Sequence, residues 1–185
     1  MKTGIISSLG AVLLVLTASL PASASESGAI TITMTGVETV ISISLDPASW
    51  PLGEVIENTE YKTDPEATWC TITNAGNVNV ALGVQGANAE FSTLPWFLSE
   101  DGTNDGAGPY PEYALWYHIA MDTEGSYALI THDPTPMQKA DGTTLSLDPE
   151  KNKQFGLKLL TPDSFPSEYI GKEMTTHITI SAVKA

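Results

Sequence analysis

The stretch whose reading decides the fold is Trp-Cys-Thr-Ile-Thr-Asn-Ala-Gly-Asn-Val-Asn-Val-Ala-Leu-Gly-Val-Gln, residues 69–85. In an extended chain Cys70 and Ile72 fall on one face, and Trp69, Thr71 and Thr73 on the other. Beyond Asn74-Ala75-Gly76-Asn77, the side chains of Val78, Val80, Leu82 and Val84 share a face. A period of two carried through both arms marks strands with one buried side. Gly76 and the flanking asparagines tolerate the positive φ of a tight turn, so the stretch reads as an antiparallel hairpin.

The same period recurs outward from this centre. Residues 30–34 place Ile30, Ile32 and Met34 on one face, and residues 40–45 bury Ile41, Ile43 and Leu45. Residues 113–121 carry bulk on both faces, as a central strand does, and residues 127–131 are the expected partner. Further strands are expected at 90–94, 143–147, 154–160 and 175–183, while residues 48–66 read as irregular and 95–98 as a cap. Asp-Pro, Asp-Gly and other Pro-containing breaks separate the runs, and no amphipathic helix follows residue 24. About nine short strands predict an all-β fold, an antiparallel β-sandwich of Ig-like or jelly-roll type. Val80 and Ile178 are both expected in its core, where aspartate would prevent folding.

The N-terminus reads as an export signal. Lys2 precedes an apolar run over residues 5–20, and Ala22-Ser23-Ala24 offers a small-x-small cleavage site. A pilin-type leader cut after Gly4 is the alternative, although Leu9 stands where such leaders carry an acid. Cleavage after Ala24 leaves residues 25–185, one domain's worth of chain. The apolar run is shorter than a membrane span needs. An extracellular or cell-surface location is expected.

Charge narrows the partners. The 185 residues include 22 Asp and Glu against 8 lysines and no arginine, for a net charge of −14. Nucleic acid and anionic membranes are poor partners for such a chain, because phosphates are gripped by basic patches. Divalent cations and solubility are favoured instead. The single cysteine, Cys70, excludes an internal disulfide and suits a small buried hydrophobe.

Few residues suggest chemistry. His118, His132 and His177 show no metal-ligand spacing, and no serine lies in a nucleophile elbow. Glu100, Asp101, Asn104 and Asp105 sit on a glycine-rich loop and offer hard oxygens, so calcium is the expected cation there. A thinner acidic cluster comprises Glu57, Glu60, Asp64 and Glu66. Trp50, Trp69, Trp96 and Trp116 supply rings that either cap the core or stack on a surface polysaccharide. Ile30, Ile32 and Met34, close to the free end left by cleavage, suit donation of a strand to a neighbouring copy.

Cys70-Thr-Ile-Thr-Asn-Ala-Gly-Asn77 resembles the strand-Asn-x-Gly-Asn-strand signature of Ig-like modules in bacterial and archaeal surface proteins. Leu145-Ser-Leu-Asp-Pro149, then Phe155-Gly-Leu-Lys-Leu159 and Pro162, resembles the closing section of those modules, with Glu150 where they carry glycine. An export leader followed at once by a small β domain is also similar to camelysin/TasA-like filament proteins. The likeness spans residues 66–85 and 143–183, and it makes residues 99–142 look like an insertion. It implies a sandwich fold and a surface location, and it carries over no catalytic residues. The expectation is therefore a non-enzymatic structural subunit that self-associates, with a carbohydrate- or surface-binding module as the alternative.

Overall fold

The computed structural model describes residues 34–36, 38–63, 69–105, 110–120 and 127–185. The chain divides into two units at Gly36. In the first, the described residues 34–36 are exposed and form no strand, and the expected strand residues Ile30 and Ile32 and the leader 1–24 lie outside the described residues.

The second unit is all-β, as expected of a β-sandwich: among the described residues it has twelve strands in two sheets and no helix. The larger sheet contains β1 (Ile43–Asp46), β2 (Glu60–Lys62), β3 (Cys70–Asn74), β5 (Ala89–Phe91), β6 (Leu94–Leu98), β7 (Glu112–Ile119), β8 (Ala128–Ile130) and β11 (Asn152–Leu160). Its spine runs β1-β3-β11-β7-β6-β5, with β2 beside β11 and β8 beside β7. The smaller sheet holds β4 (Val80–Gly86), β9 (Thr135–Pro136), β10 (Ser146–Leu147) and β12 (Ile178–Lys184). There β4 lies between β12 on one side and β10 and β9 on the other. Every pairing is antiparallel except β6–β7, where Phe97 and Leu98 run parallel to Glu112 and Tyr113.

Alternation explains the layers. β3 buries Cys70, Ile72 and Asn74; β4 buries Val80, Leu82 and Val84; β11 buries Phe155, Leu157 and Leu159. β7 is covered on both faces, with Tyr113, Leu115, Tyr117 and Ile119 inward and Ala114 and His118 also buried. Each such apolar side chain contributes about 1.5–3 kcal/mol when removed from water. The segment 99–142, which resemblance makes look like an insertion, supplies β7 to this core together with β8 and β9.

The 69–85 stretch keeps its strands and faces but not its pairing. β3 bonds to β1 and β11, and β4 to β12, β10 and β9, so the two arms stand in opposite sheets. Residues 75–79 form an arch between sheets, not a hairpin. A buried amide enforces this. Asn74 is fully buried, and its Nδ2 donates to the carbonyls of Val78 at 2.8 Å and Leu147 at 2.9 Å. Its Oδ1 accepts from the Gly76 N–H at 3.0 Å. The left-handed glycines among the described residues are Gly53, Gly102, Gly142 and Gly171, so positive φ is not why Gly76 is glycine.

Two further departures are local. Residues 60–62 of the stretch read as irregular form β2, which seals the end of β11 through Leu160 and Leu159 against Glu60 and Tyr61. Residues 95–98, read as a cap, belong to β6, which pairs back on β5 with Pro95 opposite Glu90. Ser92 takes φ 56° in the turn between them.

Candidate functional site

β12 is an edge strand of the smaller sheet. It pairs with β4 over seven residues, from Ile178 opposite Gly86 to Lys184 opposite Val80. Among the described residues no strand occupies its other edge. Ile178, Ile180 and Ala182 pack against the core yet stay only partly buried, and Val183 is 61% exposed. Edge strands are usually blunted by prolines, bulges or inward charges. Here the first charge is Lys184, the last residue of the strand.

The corner where β12 ends also holds residues 38–42. The Ala185 N–H donates to the Asn79 carbonyl at 3.0 Å. Two residues earlier, Asn77 grips the approach to β1. Its N–H donates to the Val40 carbonyl at 3.0 Å, its Nδ2 to the Glu38 carbonyl at 2.7 Å, and its Oδ1 accepts from the Val40 N–H at 2.8 Å. Ala75 adds an N–H bond to the Ser42 carbonyl at 2.9 Å. Residues 38–42 lie outside any strand and are mainly exposed, with Val40 and Ile41 about half covered, and these hydrogen bonds hold them to the arch.

The acidic loop is tied into the protein. Glu100 Oε1 meets His132 Nδ1 at 2.5 Å and accepts the His132 N–H at 3.0 Å, while His132 Nε2 lies 2.8 Å from Asn88 Oδ1. Asp101 Oδ1 accepts the Thr103 N–H and hydroxyl and the Ser99 hydroxyl. Those bonds, from Thr103 first, hold its carboxyl below the usual carboxylate range. Asn104 donates to Asn58 Oδ1 and to the Thr161 carbonyl, and Asp105 is exposed. Among the described residues no group of three or more His, Cys, Asp or Glu side chains could hold a metal ion.

In the second acidic cluster Glu60 bridges Lys62 at 2.7 Å and Lys158 at 3.2 Å, and the hydrogen bond from Lys62 leads in lowering its pKa. Glu57 Oε1 accepts the Phe165 N–H, while Asp64 and Glu66 lie outside the described residues.

The four tryptophans are engaged with their own chain. Trp96 stacks on Phe165 at 5.2 Å and 7° and is buried, and Trp50 packs against the core. On the outer face of the large sheet, Lys158 Nζ lies 4.0 Å from the Trp116 ring and 5.1 Å from Tyr127. Trp69 lies over Gly156, where a Cβ would stand 3.0 Å from the indole, and meets His118 edge-on at 5.5 Å. His118 is thus buried among aromatic rings rather than exposed on its strand, whereas His177 is exposed. Cys70 is buried, and desolvation, then the Asp46 charge, pushes its thiol pKa up, away from nucleophilic use.

No helix among the described residues is long and apolar enough to cross a membrane. No protein-family model matches the chain, and no curated protein and no solved structure matches it.

Sequence reading named the donor candidates but missed the corner. The signal was present in Asn77, a second asparagine beyond the turn glycine with a full amide to spend. Its partners, Glu38 and Val40, lie 39 and 37 residues away, beyond the reach of local pattern.

Proposed function

We propose that this chain is an exported, non-enzymatic structural subunit of a cell-surface or extracellular assembly, joined by strand donation. The observation that carries this reading is the outer edge of β12, seven residues long, partly apolar and unpaired among the described residues. Such an edge templates an incoming strand through backbone hydrogen bonds, with alternate side chains supplying fit. Residues 30–34 have the matching alternation, Ile30, Ile32 and Met34 against Thr31 and Thr33. Donation from one copy to the next is heterologous and builds open filaments rather than closed rings.

Sedimentation velocity and negative-stain electron microscopy of the purified protein, over a hundredfold range of concentration with and without calcium, test the reading. Polymers that grow with concentration and vanish in the double substitution Ile30→Asp, Ile32→Asp are expected. A strictly monomeric protein under every condition, or polymers indifferent to that double substitution, would overturn it.

A further inference from the structure

We infer that the main-chain groups of Ile178, Ile180 and Ala182 take the incoming strand of a second copy, and that this strand lays its apolar side chains on the core side of β12. This rests on the strand-donation reading above and names the acceptor groups for it. The bonds on the far side of β4 fix the assignment. There the Leu82 N–H donates to the Leu145 carbonyl at 3.0 Å, and the Leu82 carbonyl accepts the Met137 N–H at 2.9 Å. The Gly86 N–H likewise donates to the Thr131 carbonyl at 2.9 Å. Even-numbered residues of β4 thus turn their polar groups away from β12. Successive residues of a strand address opposite edges, so Ala81, Gly83 and Gln85 face β12, opposite Val183, Ser181 and Thr179. The Ala185 N–H, bonded to the Asn79 carbonyl at 3.0 Å, continues that odd-numbered row. Left on the open edge, among the described residues, are the groups of Ile178, Ile180 and Ala182, with Lys184 at the end.

Those same three residues turn their side chains to the core and remain only partly buried. Residues directly opposite one another in a ladder share a face, so an added strand needs an apolar residue opposite each of them. Residues 30–34 of a second copy supply that series, Ile30, Ile32 and Met34 between Thr31 and Thr33. A slip of one residue would turn the threonines to the core side, which disfavours it. Charge points to the same edge. Residues 178–183 and 30–34 carry no charged side chain in a chain of net charge −14, so neither copy brings a carboxylate to this joint.

Residue-resolved amide hydrogen exchange of the full chain, dilute and monomeric and then assembled, tests this. In the monomer the amides of Thr179, Ser181 and Val183 are expected to be protected, and those of Ile178, Ile180 and Ala182 to exchange at least tenfold faster. Assembly is expected to slow the second set at least tenfold. A pair of prolines gives a second readout, since proline suits an edge strand only where its missing N–H faces outward. Ala182→Pro is expected to fold and to assemble at least tenfold more weakly, whereas Ser181→Pro is expected to lower the melting temperature sharply by breaking the ladder to β4. Polymers whose Ile178, Ile180 and Ala182 amides stay as fast as in the monomer would overturn the assignment while leaving the assembly reading intact. Ala182→Pro polymers as stable as wild type would do the same. Protection of those amides in the monomer would overturn it by showing the edge already filled, and a protein that never assembles overturns both readings.

Discussion

Gly76 lies against Val40 with no room for a methyl group between its Cα and the Val40 carbonyl oxygen. The contact joins the arch that carries the chain between sheets to the segment that leads into β1. Because the obstruction is backbone, it cannot be relieved by turning a side chain. Gly76→Ala should destabilise the fold by about 1–3 kcal/mol, the usual range for overpacking. A lowered urea midpoint at unchanged m-value would register it, and a midpoint equal to wild type would refute the contact.

Asn74→Ala should cost more than most surface changes, about 2–4 kcal/mol. It strips hydrogen bonds from the carbonyls of Val78 and Leu147 and from the Gly76 N–H, groups folded around a fully buried side chain. Asn74→Asp should not rescue, because a carboxylate offers no donor to the two carbonyls. Chemical denaturation of both variants decides the point.

Glu150 holds φ at 63°, a left-handed conformation that suits glycine. Its N–H donates to the Asn74 carbonyl at 2.9 Å, a bond that any residue but proline keeps. Glu150→Gly should therefore be tolerated and stabilise by up to about 1 kcal/mol, with relief of the left-handed strain offset in part by added freedom in the unfolded chain. Thermal melts would contradict this if the variant lost several degrees.

Stability should fall in alkali. Burial pushes the Tyr113 phenol well above its ordinary range, against the smaller lowering effect of its hydrogen bond with Thr176. The folded state therefore holds that proton more tightly than the unfolded chain does. This contribution is complete below the unfolded tyrosine pKa of about 10 and is lost as pH rises beyond it. Tyr113→Phe should flatten the decline above about pH 10. Its cost at neutral pH should be modest, about 1 kcal/mol, since Thr176 Oγ1 also donates to the Ala87 carbonyl at 2.9 Å. Urea midpoints from pH 7 to 11 would test both halves.

Val80 and Ile178 look equivalent in sequence but differ in the fold. Val80 is fully buried at the start of the small sheet's central strand, whereas Ile178 is half-buried at the start of its edge strand. Val80→Asp should abolish soluble expression, since an isolated carboxylate has no partner there. Ile178→Asp should leave a folded protein, read by its near-ultraviolet circular dichroism. Soluble, folded Val80→Asp would show that β4 is not the centre of the core.

Strand identity was legible because one buried face leaves a period of two, plainest in Cys70 and Ile72, in Val80 to Val84 and in Phe155 to Leu159. Pairing was not, because alternation states which side is inward but not which neighbour supplies the hydrogen bonds. Asn74-Ala75-Gly76-Asn77 has the composition of a hairpin turn, yet its polar groups are satisfied from Val40, Ser42 and Leu147. Short β2 and β9 carry too few residues to show a period at all. For the candidate site, residues 30–34 were visible as an alternating run, while the open edge of β12 exists only once that strand has paired with β4. The bonds that Asp101 and Asn104 make with hydroxyl, amide and carbonyl groups of their own chain could not be read from spacing.

The division of 69–85 between two sheets also sets an order of events. A hairpin can zip locally, but the pairings of β3 with β11 and of β4 with β12 join strands roughly eighty and one hundred residues apart. Such distant pairings fold slowly because loop closure precedes any reward from contact. The seven-residue β12 is the long partner of β4, so the small sheet closes only after that distant strand has been made. Until that moment the edge of β4 that faces β12 keeps its backbone hydrogen-bonding groups unpaired.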